Sequence, residues 1–220
     1  ETREGLVKHY TAFDHPSKRA DFDAKSSSLE AQLANLADEI TYYSHDLDDG
    51  LGSQLLNEDN LKANVTIWRE TDEAVRSEHG DLPTETRHYA IIRRLINSQV
   101  HDVVETSGRL IAEAGVQSAD AVRLMDETLV QYSTSRREAN IELRDYLYEN
   151  LYYNPVVHEP NRRAVKMLEK LFRHFEAHPE YIGSQSRSRI ERDGLQRTIC
   201  DYIAGMTDRY VWQELERLRL

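Results

Sequence analysis

The stretch LADEITYYSHDLDDGL, residues 36–51, carries acids and tyrosines at helical spacing. Asp38, Tyr42 and Asp46 stand at i, i+4 and i+8, so in an α-helix they share one face over about 12 Å. Carboxylates bind a hard cation or accept hydrogen bonds from sugar hydroxyls, and a sugar ring packs well on a tyrosine. The same spacing is typical of a solvated acidic face with an incidental tyrosine, so spacing alone leaves both interpretations open.

The sequence around this stretch predicts helices and no strands. Ser28 is a suitable N-cap for a helix from about residue 29 to 47 that ends near Gly50. Residues 11–28 are polar and predict a loop. The 3.6-residue hydrophobic period predicts further helices over about 60–78, 85–113, 134–152, 160–177 and 195–220. The expected fold class is therefore all-α, a helical bundle in which residues 1–220 form a single region.

Composition restricts the classes of partner. The chain has 28 Lys and Arg against 39 Asp and Glu, a net charge of −11, which argues against a nucleic acid partner and against an anionic membrane surface. Cys200 is the single cysteine, so no intramolecular disulfide can form and a reducing compartment is favoured. No apolar run approaches the roughly 20 residues that span a bilayer. We expect a cytoplasmic protein without a membrane partner.

Two basic pairs are candidates for phosphate binding. Arg93 and Arg94 fall on the predicted long helix, and guanidinium groups grip phosphate oxygens with two hydrogen bonds. Without other information, a solvated helix face or intrahelical ion pairs is the favoured explanation of these two arginines. Lys8 and His9 also suit a phosphate contact, although cations are common at a helix end because they complement its dipole.

Four segments of the sequence together give evidence that does not depend on residue spacing alone. LEAQLANLADEITYYSHDLDDGL (29–51) and CDYIAGMTDRY (200–210) resemble the bacterial deoxyguanosinetriphosphate triphosphohydrolase-like proteins of the HD-domain superfamily. EGLVKH (4–9) and EAGVQSADAVR (113–123) resemble the same family, and all four occur in the family's order. The resemblance implies an all-α HD-type metallohydrolase that splits a deoxynucleoside triphosphate into deoxynucleoside and inorganic triphosphate. It also implies a homo-oligomer.

The resemblance assigns roles to the opening stretch. Asp38 inherits the place of a metal ligand, while Tyr42 and Asp46 inherit contacts to the deoxyribose and its 3′-hydroxyl. Arg93 and Arg94 match phosphate-binding residues of related hydrolases by position only. The implied cofactor is a divalent metal, with manganese or magnesium first and iron, nickel, cobalt or zinc as alternatives.

One departure from the family affects the expected activity. The family's first His and its His-Asp pair lie upstream of the segment that EGLVKH resembles, so Asp38 is the one recognisable metal ligand of four. We expect the chain to correspond to the C-terminal portion of such an enzyme and to be inactive alone, and no catalytic residue is assigned. The alternatives are another HD-type nucleotide phosphohydrolase and a non-catalytic helical assembly module.

Overall fold

The computed structural model describes residues 2–9 and 25–220. Within these ranges every regular element is helical, so the all-α prediction is confirmed. Most of the loop predicted over residues 11–28 lies outside the described residues. No helix in the described part of the chain is long and apolar enough to cross a membrane.

The chain divides into two compact units, Glu1–Tyr152 and Tyr153–Leu220, where the sequence suggested a single region. The first unit contains α1 (Thr2–Val7), α2 (Leu29–Gly52), α3 (Glu58–Asn64), α4 (Thr66–His79), α5 (Thr84–Ala114), α6 (Ala119–Arg123), α7 (Thr134–Leu147) and a π-helical turn (Tyr148–Tyr152). The second contains α8 (Pro155–Ala177), a 3-10 turn (Pro179–Tyr181), α9 (Ser184–Arg187), α10 (Ile190–Asp193), α11 (Leu195–Ala204) and α12 (Asp208–Leu218).

Helix α5 is the central element of the first unit. Ile91, Leu95, Gln99 and Val103 repeat every four residues along one face, and all four are buried. Helices α2 and α4 pack against α5, and α7 packs against both of them. The core that results is built around Trp68 and other fully buried apolar side chains, and it holds α2 in place.

Helix α2 begins where the sequence predicted and ends later. The Ser28 side chain accepts a hydrogen bond from the Ala31 N–H at 3.4 Å, as an N-cap does. The helix ends at Gly52, two residues after the expected end near Gly50. A Cβ on Gly50 would lie 2.5 Å from Leu56 Cδ1. Glycine is needed there because Leu56, which follows the helix, packs closely against this position.

Several other helix boundaries differ from the sequence prediction. The segment expected as one helix over 60–78 is two, because the fully buried Val65 is extended at φ −122° and separates α3 from α4. The predicted closing helix is also two, divided between Gly205 and Thr207. Helix α8 begins at Pro155, five residues before the prediction, because proline fits the first turn of a helix.

The second unit has a small core of its own. Leu171 and Phe175 from the C-terminal half of α8 pack against Ile199 of α11 and against Val211 and Leu215 of α12. The N-terminal half of α8 keeps aliphatic and basic side chains in solvent.

Candidate functional site

Helix α2 presents Asp38, Tyr42 and Asp46 on one side, which we call the site face. Asp38 and Tyr42 are exposed and Asp46 is half-buried. The other side of α2 buries Leu36, Ile40 and Leu47 in the core of the first unit. Because that apolar stripe fixes the rotation of the helix, it also fixes the direction of the site face.

Asp46 is held by a tyrosine from a distant part of the chain. The Tyr152 hydroxyl donates a hydrogen bond to the Asp46 carboxylate. The Tyr152 ring centroid lies 5.9 Å from that of Tyr42 and 5.1 Å from that of Tyr148. Tyr42, Tyr148 and Tyr152 therefore form an aromatic cluster beside the carboxylate, which we call the tyrosine cluster.

The π-helical turn after α7 supplies two members of the tyrosine cluster. Turns of this kind insert an extra residue into a helix and are frequent at functional sites. Sequence reasoning did not find Tyr148 and Tyr152 as site residues, since they lie about a hundred residues beyond α2. Their i, i+4 spacing in YENLYYNP was the available signal, but it does not say which helix the rings face.

Burial governs the ionisation of the Asp46–Tyr152 pair. Burial raises the pKa of Asp46, and the charge of Asp49 acts in the same direction, while the hydrogen bond from Tyr152 opposes both. Burial and the Asp46 carboxylate raise the pKa of Tyr152. The phenol therefore remains protonated and donates, which leaves Asp46 with lone pairs for a second hydroxyl donor.

Asp38 offers one carboxylate and no complete metal site. Its backbone carbonyl accepts a hydrogen bond from the Thr41 hydroxyl at 2.9 Å, and its side chain is exposed. Across residues 2–9 and 25–220, no group of three or more His, Cys, Asp or Glu side chains is arranged to hold a metal ion. The described residues therefore do not make a divalent metal centre by themselves.

Lys8 and His9 are both engaged in contacts near the start of α2. Lys8 Nζ donates to the Glu4 carboxylate at 3.1 Å and to the Ser26 carbonyl at 2.9 Å. His9 Nδ1 lies 2.6 Å from Asn35 Oδ1. Asn35 precedes Asp38 by nearly one turn of α2, so the structure brings His9 to the N-terminal end of the site face.

The two arginines of α5 are not joined to the site face. Arg94 Nη1 lies 2.5 Å from Glu78 Oε2 of α4. Arg93 is exposed and points away from the buried stripe of α5, since it is about 200° around the helix from Leu95. In the described part of the chain no hydrogen bond or ion pair links either arginine to Asp38, Tyr42 or Asp46. Their role in phosphate binding stays a prediction.

One comparison with known protein families matches part of the chain. Residues 130–217 match the phosphohydrolase-associated domain family. Together with the all-helical fold, this match confirms the resemblance to HD-type phosphohydrolases.

The particular relatives are deoxyguanosinetriphosphate triphosphohydrolase-like proteins. The chain is 35% identical over 220 residues to one from Geobacter metallireducens and 36% identical over 235 residues to one from Caulobacter vibrioides. It is 38% identical over 224 residues to deoxyguanosinetriphosphate triphosphohydrolase-like protein 1 of Deinococcus radiodurans. These alignments cover 99%, 99% and 100% of the chain but 57%, 59% and 57% of the respective relatives. The chain thus spans a little over half the length of these curated relatives.

Proposed function

We propose that the protein containing this chain hydrolyses a deoxynucleoside triphosphate to a deoxynucleoside and inorganic triphosphate, with a divalent metal, manganese or magnesium first. The names of the relatives support this reaction class. The single observation that carries the proposal is the Asp46 carboxylate, which Tyr152 holds beside the Tyr42 ring on the site face.

In this proposal the site face binds the sugar. The deoxyribose packs on the exposed Tyr42 ring, and its 3′-hydroxyl donates to the free lone pairs of Asp46. Tyr152 is a positioning residue, because it acts on the substrate through Asp46. A carboxylate fixed before binding loses less side-chain entropy when the sugar arrives.

Asp38 supplies one metal ligand in this proposal, and the remaining ligands come from residues outside the described ranges. His9 is the best placed candidate for a phosphate contact, because it already lies at the end of the site face. Lys8 could contact phosphate only while it also donates hydrogen bonds to Glu4 and Ser26. Arg94 could contact phosphate only if its ion pair with Glu78 were broken. We also propose that the protein assembles as a homo-oligomer.

The test is chromatography of reaction products from the full-length protein with each deoxynucleoside triphosphate and manganese. We expect equimolar deoxynucleoside and triphosphate. Asp46→Ala should lower kcat/KM by about 10- to 100-fold, since it removes a charged hydrogen-bond acceptor. Asp48→Ala is the matched control, because Asp48 is an exposed acid of α2 away from the site face.

Other outcomes of this assay would contradict the proposed reaction and indicate a different function. Turnover of only nucleoside monophosphates or cyclic nucleotides would indicate a different HD-type phosphohydrolase. Absence of both turnover and nucleotide binding, with Asp46→Ala behaving like the parent, would indicate a non-catalytic assembly module.

A further inference from the structure

Two histidines lie one helical turn apart at the C-terminal end of helix α8. The chain has nine histidines, and His174 and His178 are the one pair among them at i, i+4 spacing. The backbone N–H of His178, the C-cap of α8, donates to the His174 carbonyl at 2.8 Å. Residues at this spacing share a helix face, and two histidines on one helix face bind zinc in metalloproteases. We call these two residues the histidine pair.

The distance between the two rings suits a shared metal ion. The ring centroids of His174 and His178 lie 5.0 Å apart. A zinc–nitrogen bond is about 2.0–2.1 Å long, which puts the ion roughly 3.2 Å from the centre of each imidazole that it binds. Two imidazoles that meet at a right angle or a tetrahedral angle then have centroids about 4.5–5.2 Å apart. The backbone therefore needs no movement to bring both rings to one ion.

The contacts of the two rings identify the nitrogen atoms that are free to bind. Nε2 of His174 is buried and has no hydrogen-bond partner among the described residues. A buried polar atom without a partner costs free energy, which a bound ion or water removes. Nδ1 of His178 lies 3.5 Å from a carboxylate oxygen of Glu180. In metal sites a carboxylate on one ring nitrogen orients the other nitrogen toward the ion, so Nε2 of His178 is the second candidate ligand atom.

The surroundings of the histidine pair are closed on one side and open on another. The Tyr181 ring centroid lies 5.4 Å from that of His174 and 6.1 Å from that of His178, so this ring covers one side of the pair. The His178 side chain is 52% exposed. Because His178 lies at the end of the helix, its ring can turn outward and admit an ion with its water ligands.

We propose that His174 and His178 bind one late first-row transition-metal ion, namely nickel, copper or zinc, whose remaining coordination positions are completed by water. Imidazole suits these ions, whereas carboxylates suit magnesium and manganese. Two protein nitrogens hold an ion more weakly than the three or four ligands of a catalytic or structural centre. Arg217, whose guanidinium lies 5.9 Å from the centre of the Tyr181 ring, pairs with Glu214 at 2.6 Å, so its charge is balanced.

This site is independent of the proposed hydrolase reaction, because both ligands belong to the second unit. Its effect is on the stability of that unit. The last turn of α8 carries Phe175 of the small core, and an ion that binds only the folded form stabilises the segment that holds its ligands.

Isothermal titration calorimetry of the whole 220-residue chain with nickel chloride tests the proposal, in the absence of an affinity tag and of chelators. We expect one ion per chain. The Kd should be roughly 1–100 μM, since two ligands supply about half the binding free energy of a four-ligand site. Copper should bind more tightly than nickel, and manganese at least about 10-fold more weakly.

His178→Asn is the decisive variant, because His178 is exposed and its replacement leaves the core unchanged. It should weaken nickel binding at least about 30-fold, since a single imidazole cannot chelate. Glu180→Gln should weaken binding about 10-fold, because it removes the carboxylate that orients His178. His158→Asn is the matched control and should keep the parental affinity. His158 is an exposed histidine of the same helix with no second histidine one turn away.

Amide hydrogen exchange gives a second readout. Nickel at about ten times its Kd should slow exchange in residues 171–178 by up to about 10-fold in the parent. The His178→Asn variant should show no such change.

Three results would overturn the proposal. The first is no calorimetric binding of nickel up to about 1 mM. The second is parental affinity in His178→Asn, or an equal loss of affinity in His158→Asn. The third is nickel binding that disappears in Asp38→Asn, which would place the ion on the first unit.

Discussion

Asp46 illustrates at the scale of one residue how a partly buried carboxylate costs stability. Burial raises its pKa above the value it has in an unfolded chain. The native state then binds the proton more tightly than the unfolded state, so stability falls as the pH rises through the window between the two values. At neutral pH the native state is destabilised by the full free-energy cost of keeping the Asp46 carboxylate ionised.

We therefore expect Asp46→Asn to raise the Tm at pH 7 by about 1–3 °C, since the amide oxygen still accepts from Tyr152 and carries no charge. The gain should disappear at about pH 2.5, well below the usual Asp pKa of about 3.9, where the parental carboxyl is protonated in both states. Thermal melts at the two pH values measure this. A lower Tm at pH 7 would show that the charge is compensated.

Asp72 shows the opposite balance. Its side chain is fully buried and accepts hydrogen bonds from Lys62 at 2.6 Å and Arg76 at 3.0 Å, with Arg87 3.4 Å away. Burial alone would raise the pKa of Asp72, but the hydrogen bonds from Lys62 and Arg76 outweigh it and lower the pKa. This contribution to stability is present above the unfolded pKa and is lost as the pH falls through the folded one.

Asp72→Ala should lower the free energy of unfolding by about 3–5 kcal/mol at pH 7, because it leaves cations around a buried site without their anion. Urea denaturation measures the change. Asp81→Ala is the matched control, since Asp81 is a fully exposed carboxylate 3.7 Å from the same Arg76, and it should cost less than about 1 kcal/mol. Equal losses would exclude the buried network as the cause.

At the scale of one element, Gly50 shows why helix α2 needs a residue without a side chain. A Cβ there would overlap Leu56, which is buried in the core. Gly50→Ala should destabilise the protein by about 1–3 kcal/mol from overpacking. In a Leu56→Ala background the same change should be neutral or stabilising by up to about 1 kcal/mol, because alanine is the better helix former. Equal losses in both backgrounds, measured in urea, would contradict this explanation.

Helix existence was more predictable than helix boundaries. The hydrophobic period of α5 predicted a helix correctly because its stripe is long, and Ile91, Leu95 and Val103 of that stripe are buried, although Val104 is exposed. The break at Val65 was missed, because a buried valine fits the apolar pattern in both a helix and an extended segment. Gly50 was interpreted as the signal that ends helix α2. Its actual role depends on its packing against Leu56, six residues later in the sequence.

At the scale of the whole molecule, two cores should respond separately to core substitutions. Phe175 is fully buried in the second unit and Leu95 is almost fully buried in the first. Phe175→Ala should cost about 3–5 kcal/mol locally and accelerate amide hydrogen exchange in α8, α11 and α12, while α4 and α5 keep their rates. Leu95→Ala should give the reverse pattern. Acceleration of both units by either variant would show one cooperative structure.

The sequence by itself determined the helical class, the register of α2 and the common direction of Asp38, Tyr42 and Asp46. These properties follow from the 3.6-residue period, which is local. Tertiary structure alone decided that Tyr152 meets Asp46 across 106 residues, and that Arg94 pairs with Glu78. It also decided that the chain divides into two compact units at Tyr152 and Tyr153. Contacts between distant segments depend on how the packed helices are oriented, and no local period carries that information.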